Sequence, residues 1–295
     1  MSKNILVVVK GGGDLATGVA HRLHRVGMKI IITELAQPTV IRRAVAFASA
    51  VFEGEVTVEG VVARRVEDAA QALALLPEGI IPVVVDPHAS VLRPEPCPEL
   101  VLSRVEGQSR RVVEGVRELE PNVLVDAIIA KRNTGTQITD APVVVALGPG
   151  FTAGLDAHAV IETNRGHDLG RVILEGQAAP DTGIPGPVMG YASERVVRAP
   201  GEGVFRGIKA IGDRVEAGDV VARAGDQRVL APISGVLRGL LADGLVVKEG
   251  MKVGDVDPRG VREHCFTISD KARALGGSVL EAILYLLRER EERKR

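Results

Sequence analysis

Residues 7–18 read VVVKGGGDLATG, three consecutive glycines between an apolar run and a helix-like run. Gly11, Gly13 and Ala16 fit the G-x-G-x-x-G/A spacing of a dinucleotide-binding turn. In such a turn the missing side chains let phosphate oxygens reach backbone N–H groups at the positive end of a helix. Gly12 lies between them, and Glu34 ends the next apolar run about twenty residues on, where an acid takes the ribose hydroxyls of a dinucleotide. Asp14 argues the other way, because a carboxylate at a helix N-terminus is a good cap and repels a diphosphate at the same amides. Two readings stand: a ligand cradle, or a plain strand-to-helix turn capped by Asp14. The candidate cofactor-binding residues are therefore Gly11, Gly12, Gly13, Asp14, Ala16 and Glu34. Lys131, Arg132, Asn133 and Thr134 of AKRNTGT join them, as donors beside a glycine after a strand-like run. That loop is either an anion site at a strand end or a solvated basic turn.

Other chemistry-bearing residues are less organised. His158, Glu162, Arg165 and His167 fall within ten residues and offer metal ligands or an acid-base pair, without a recognised metal spacing. Surface or hydrogen-bonded histidines are the alternative, and no metal is assigned. LGPGFTAG, residues 147–154, has the glycines and proline of a sharp reversal. No G-x-S-x-G, H-E-x-x-H or P-loop pattern occurs, so no catalytic residue is named. Cys97 and Cys265 form no Cys-x-x-Cys pair; both read as inert thiols, Cys97 among the carboxylates of PEPCPE.

The elements that must position these residues follow from hydrophobic periodicity. NILVVV and MKIIITE read as strands around the helical DLATGVAHRLHRVG, with Leu15, Val19, Leu23 and Val26 on one face. A second helix is expected from Pro38 through TVIRRAVAFASAVF, then strands at EVTVEGVVA, IIPVVVD, NVLVDAIIA and PVVVALG. Continuous Val/Ile runs point to a parallel sheet covered on both faces. The expected fold class is α/β, a Rossmann-like doubly wound domain over residues 1–140. A glycine-rich connecting segment follows over 141–190 and a small all-β domain over 191–258. The β-domain reading rests on an internal repeat: APGEGV from Ala199 returns as APISGV from Ala231, and VEAGDV from Val215 as MKVGDV from Met251. Residues 259–295 complete the chain with an amphipathic helix from Ser278 and a charged tail.

Composition limits the function class. Of 295 residues 45% are apolar, 25% charged and 2% aromatic, with a formal net charge of -1. This excludes a disordered chain, and it lacks the basic surplus and stacking platforms of nucleic-acid binders. The apolar run of residues 5–9 is too short for a signal-peptide core or a membrane span, so a cytoplasmic protein is expected.

Residues 199–257 resemble the hammerhead domains that carry biotin or lipoyl groups, whose halves show this Ala-Pro…Gly-Val and Gly-Asp-Val pattern. The family's acceptor lysine sits on a hairpin that corresponds to VVARAGDQRVL, and no lysine occurs between Lys209 and Lys248. Biotin and lipoate are therefore not expected, and the segment reads as a docking module. Across nearly its whole length the chain resembles the YqeB-type accessory family of selenium-dependent molybdenum hydroxylases. GGGDLATG, ITELAQPTVIRRAVAFASAVFEG, DAIIAKRNTGT, LGPGFTAGLDAHAVIETNRGHDLGRV and EGQAAPDTGIPG carry this likeness in order. The resemblance implies a maturation factor for enzymes of the xanthine dehydrogenase and nicotinate dehydrogenase type, with such an enzyme as its client partner. The cofactor candidates are NAD(P) and molybdopterin dinucleotide. The alternatives are an NAD(P)-dependent oxidoreductase acting on a selenium or pterin intermediate, and a ligand-free scaffold. Homo-oligomer formation is compatible with each.

Overall fold

The computed structural model describes residues 5–87, 89 and 119–294. Its first strands are β1 (Leu6–Lys10), β2 (Lys29–Glu34), β3 (Glu55–Val58), β4 (Val61–Val66), β5 (Ile81–Val85), β6 (Val123–Asp126) and β7 (Val143–Leu147). The short β8 (Thr152–Ala153), β9 (Ala159–Ile161), β10 (Val172–Ile173) and β11 (Gly176–Gln177) follow. Nine of these form one sheet in the order β10-β9-β7-β6-β1-β2-β5-β4-β3, while β8 and β11 pair separately. The central pairs are parallel; β3 on β4 and β10 on β9 are antiparallel. Alternation sorts the apolar runs onto two faces. Val7, Val9, Ile30, Ile32, Val123 and Val125 face helices α1 (Asp14–Arg25) and α4 (Asp270–Glu292), whereas Val8, Ile31 and Leu124 share the opposite core with α3 (Ala69–Leu75).

The expected Rossmann-like doubly wound domain followed by a hammerhead domain is not what forms. β6 passes to β7, and β7 to β9, without an α-helix, and antiparallel strands close both edges of the sheet. The face against α1 is completed by α4, which arrives from the far side of the sequence. The result is a large mixed sheet with few helices. The helix expected from Pro38 also fails to form. Its residues make 3-10 turns at Arg43–Val45 and Phe47–Ser49 and the single-turn α2 (Ala50–Glu53). The reason is that its backbone groups bond outward: Ala48 N–H donates to the Gly12 carbonyl at 2.8 Å, and Phe47 N–H to Thr17 Oγ1 at 2.8 Å. EVTVEGVVA becomes the β3–β4 hairpin, turning at Glu59 and Gly60, both at positive φ. Cys97 lies outside the described residues.

Eight further strands are β12 (Val196–Arg198), β13 (Gly203–Gly207), β14 (Arg214–Val215), β15 (Val220–Ala224), β16 (Gln227–Leu230), β17 (Gly235–Leu240), β18 (Val246–Val247) and β19 (Lys252–Asp257). They make two four-stranded antiparallel sheets, β12-β19-β17-β14 and β16-β15-β13-β18. The repeat explains this topology. β14 of the first copy pairs with β17 of the second, and β18 of the second with β13 of the first. Phe205, Leu237 and Leu240 anchor the core between these sheets. The unit is tied to the large sheet, since Leu240 N–H donates to the Ile41 carbonyl at 2.9 Å and Arg43 Nε to the Leu240 carbonyl at 2.8 Å.

α1 and α4 approach closely at glycines. A Cβ on Gly18 would lie 2.6 Å from the Ala272 carbonyl oxygen, and one on Gly276 would lie 2.6 Å from the Gly18 carbonyl oxygen. Among the described residues no helix is long and apolar enough to cross a membrane.

Candidate functional site

Strand order reverses at β1, and in open sheets of parallel strands the crevice beyond the carboxyl ends at such a point is the usual ligand site. A cleft of about 760 Å³ lies there, walled on one side by the loops after β1 and β6 and on the other by the β12–β19 unit. Basic side chains outnumber acidic ones along it, in a chain of net charge -1.

The glycine loop is built from the inside. Gly11 has φ of 88°, and a Cβ there would stand 3.1 Å from Ile128 Cα, so the loops after β1 and β6 pass backbone to backbone. Gly12 N–H donates to Glu34 Oε1 at 2.8 Å, and Glu34 Oε2 accepts from Leu35 N–H at 2.7 Å. Glu34 therefore pins the loop, and burial raises its carboxyl above the ordinary value against the pull of these two N–H groups. Gly13 is the N-cap of α1, with no side-chain cap and ordinary dihedrals. Asp14 is the first helical residue and not the cap. Its carboxylate meets Arg42 Nη1 at 3.1 Å, which offsets its charge at the helix N-terminus.

Gly11, Gly13, Asp14, Ala16, Glu34 and Lys131 all line the cleft. Gly12 sits behind it. Of the second loop, Lys131 alone among the four named residues reaches the cleft, held by Asp181 at 2.7 Å. Asn133 accepts from Gly135 and Thr136 N–H groups and shapes the turn, while Arg132 and Thr134 are exposed.

The downstream cluster is not assembled. His158 Nδ1 accepts from Val144 N–H at 3.0 Å, and burial lowers its pKa. Glu162 accepts from Asn164 and Ala179 N–H groups and so ties two loops. Arg165 lines the cleft and holds Asp270 with two bonds of 2.8 Å. Among the described residues no group of three or more His, Cys, Asp or Glu side chains could hold a metal. Cys265 is buried, with its thiol pKa pushed up by desolvation.

Three cations are among the cleft residues that escaped the sequence reading. Lys10 is the last residue of β1, directly before the glycines, a signal that was present. Arg42 lies in the IRRA stretch that reads as helix. Lys271 sits in the first turn of α4, and no local pattern links it to the glycine loop.

No family model matches the chain. Three solved structures show weak overall likeness. They are the product-bound ectoine utilization protein EutE from Ruegeria pomeroyi (15% identity, TM-score 0.23, 87% of this chain and 86% of that one), an aspartoacylase family protein from Mesorhizobium loti (13%, 0.24, 86% and 85%), and a succinylglutamate desuccinylase from a Silicibacter species (13%, 0.23, 87% and 85%). In sequence the chain is similar to the uncharacterized protein YqeB of Escherichia coli strain K12, with 50% identity over 284 residues. The match takes in 96% of this chain, which spans about half (48%) of that relative's length. Identity at this level over nearly all of its residues supports membership of the chain in the YqeB family.

Proposed function

We propose that the chain is an accessory factor in the maturation of selenium-dependent molybdenum hydroxylases, acting in the cytoplasm. In this reading it holds a dinucleotide, NAD(P) or molybdopterin dinucleotide, in the cleft beyond β1 and β6, and docks its client enzyme through the β12–β19 unit. The observation that carries the ligand part is the basic cleft, placed where the uncapped N-terminus of α1 and the glycine loop meet. The client part rests on the resemblance of the sequence motifs.

Gly13 supplies the test. It has ordinary dihedrals, φ -61° and ψ 176°, and a Cβ there meets nothing within 4 Å, so Gly13→Val is expected to keep the fold while filling the cleft edge. Protein from the native host is denatured and the supernatant analysed by mass spectrometry. The chain has no tryptophan and two tyrosines, so a bound nucleotide or pterin also stands out in its ultraviolet spectrum. The wild type is expected to release a dinucleotide and Gly13→Val little or none, with the melting temperature lowered only by the few degrees that a poorer N-cap costs. Equal release from both proteins, or none from the wild type even after incubation with the candidates, would refute the reading.

A further inference from the structure

Most cations of the cleft already have a carboxylate. Arg42 meets Asp14 at 3.1 Å, Lys131 meets Asp181 at 2.7 Å, Arg165 takes Asp270 with both terminal nitrogens, and Arg195 donates to Asp255. Arg238 differs.

Its side chain is 12% exposed and lines the cleft, and among the described residues its guanidinium makes no hydrogen bond. The Nε–H is buried without an acceptor. The ion contact it has, Nη1 to Asp257 Oδ2 at 3.3 Å, is shared, because the same carboxylate takes Arg259 Nε at 2.9 Å and Nη2 at 2.6 Å. A guanidinium carries five N–H donors and keeps its charge in a protein, so a buried one this short of acceptors is costly. Burial, and next the Arg42 guanidinium, pull its pKa below the ordinary arginine value, ahead of the opposing pull of Asp257. The seam between the two parts of the molecule brings these like charges to one place. Gly239 packs on Ile41, where a Cβ would stand 2.6 Å from Cγ2, and Leu240 N–H donates to the Ile41 carbonyl. Arg238 and Arg42 are the residues adjoining that contact.

The internal repeat sets this placement apart. GVFRG at 203–207 corresponds to GVLRG at 235–239, so Arg206 and Arg238 hold the same position in the two copies. β13 keeps its register through Arg206, which pairs with Arg223 and is exposed. In β17 the register slips: Leu237 opposes Val256 and Gly239 opposes Asp255, which leaves Arg238 as the extra residue of a β-bulge. Bulges recur next to active sites, where they re-aim a side chain. Leu237 and Leu240 point into the core between the two small sheets, and Arg238 points away from it, into the cleft.

We propose that Arg238 is an anion anchor, which takes a phosphoryl group of the ligand in the cleft and makes the β12–β19 unit a wall of the binding site as well as a docking module. The proposal rests on the reading of the cleft as the site of a phosphate-bearing dinucleotide and adds which residue of that wall takes a phosphoryl group. An anion there supplies the acceptors that the protein withholds from the guanidinium, whose planar fork of donors matches phosphate oxygens.

Calorimetric titration of the ligand-stripped full chain with NADP+ and with inorganic pyrophosphate, at matched ionic strength, tests it beside thermal denaturation. Arg238→Met is expected to weaken both probes about tenfold or more, the scale of one charge-assisted hydrogen bond. Without a probe the same variant should melt about 2–4 °C above the wild type, since it removes a buried charge and leaves Asp257 with Arg259. A merely structural ion pair predicts the reverse, and a lower melting temperature or a failure to fold would overturn the anchor. Arg238→Lys, which keeps the charge without the fork, should also weaken both probes. The exposed Arg206→Met makes the same change in the other repeat and is expected to bind like the wild type. Wild type that binds neither probe would overturn the cleft reading itself, and the anchor with it. Wild type that binds, with Arg238→Met binding equally well, would overturn the anchor alone. Binding of malonate in place of pyrophosphate would mean a carboxylate ligand and would overturn the phosphoryl assignment.

Discussion

Adjacent glycines in the middle of α4 should respond to the same substitution with opposite sign. Alanine replaces glycine in a helix interior with a gain of about 1 kcal/mol, since glycine loses more backbone freedom on folding. At Gly277 a Cβ meets nothing within 4 Å, so Gly277→Ala should raise stability by about 0.5–1 kcal/mol. At Gly276 the new Cβ would sit 2.6 Å from the Gly18 carbonyl oxygen and 3.0 Å from Arg22 Cβ. The first of these is backbone in a packed helix and cannot rotate aside, so α1 and α4 must separate by roughly an ångström. Overpacking of this kind costs about 1–3 kcal/mol. With a rigid backbone atom the upper part of that range applies, and after the propensity gain Gly276→Ala should lose about 1–2 kcal/mol. In a chain of this size that lowers the melting temperature by roughly 2–8 °C. Urea denaturation of the two variants beside the wild type reads the difference directly. A Gly276→Ala protein as stable as the wild type would show that the helix contact is looser than described and would remove α4 as a fixed support for Lys271.

Glu34 gives a pH test. Its folded pKa is raised, so the stability this group contributes is present below the ordinary glutamate value of 4.5 and is lost as pH rises through the folded pKa. Glu34→Gln should remove that decline, so that the stability of wild type relative to variant falls from about pH 4 upward; parallel stability–pH curves would contradict it. Ser269 caps α4, accepting from Ala272 N–H at 3.2 Å, and Ser269→Ala should cost about 1 kcal/mol in urea denaturation. An unchanged midpoint would mean that tertiary contacts alone hold that turn.

Much of the sheet was legible because Val/Ile runs leave little freedom: VVV, IIIT and VVVAL fall on β1, β2 and β7. NVLVDAIIA was read too long, since β6 stops at Asp126, whose carboxylate is drawn into the Lys10–Thr136 network. The helix expected after Pro38 failed for a non-local reason. Ala48 and Phe47 bond to the glycine loop and Thr17, and the Arg43 side chain bonds to Leu240, partners that periodicity does not encode. The glycine loop was legible as a feature, but its wiring was not. Glu34 stood at the distance expected of a ribose ligand, and both its oxygens take backbone N–H groups. Lys271 was invisible, because nothing in one sequence states that residue 271 returns to residue 14.

That return has a consequence during synthesis. The apolar stripe of α1, with Val19 and Leu23, is covered by α4, and some 245 residues separate the end of one helix from the start of the other. At about 5–20 residues per second a ribosome needs roughly ten to fifty seconds to make that stretch. Throughout that interval the nascent chain carries a bare greasy flank on its first helix, a natural resting place for a chaperone.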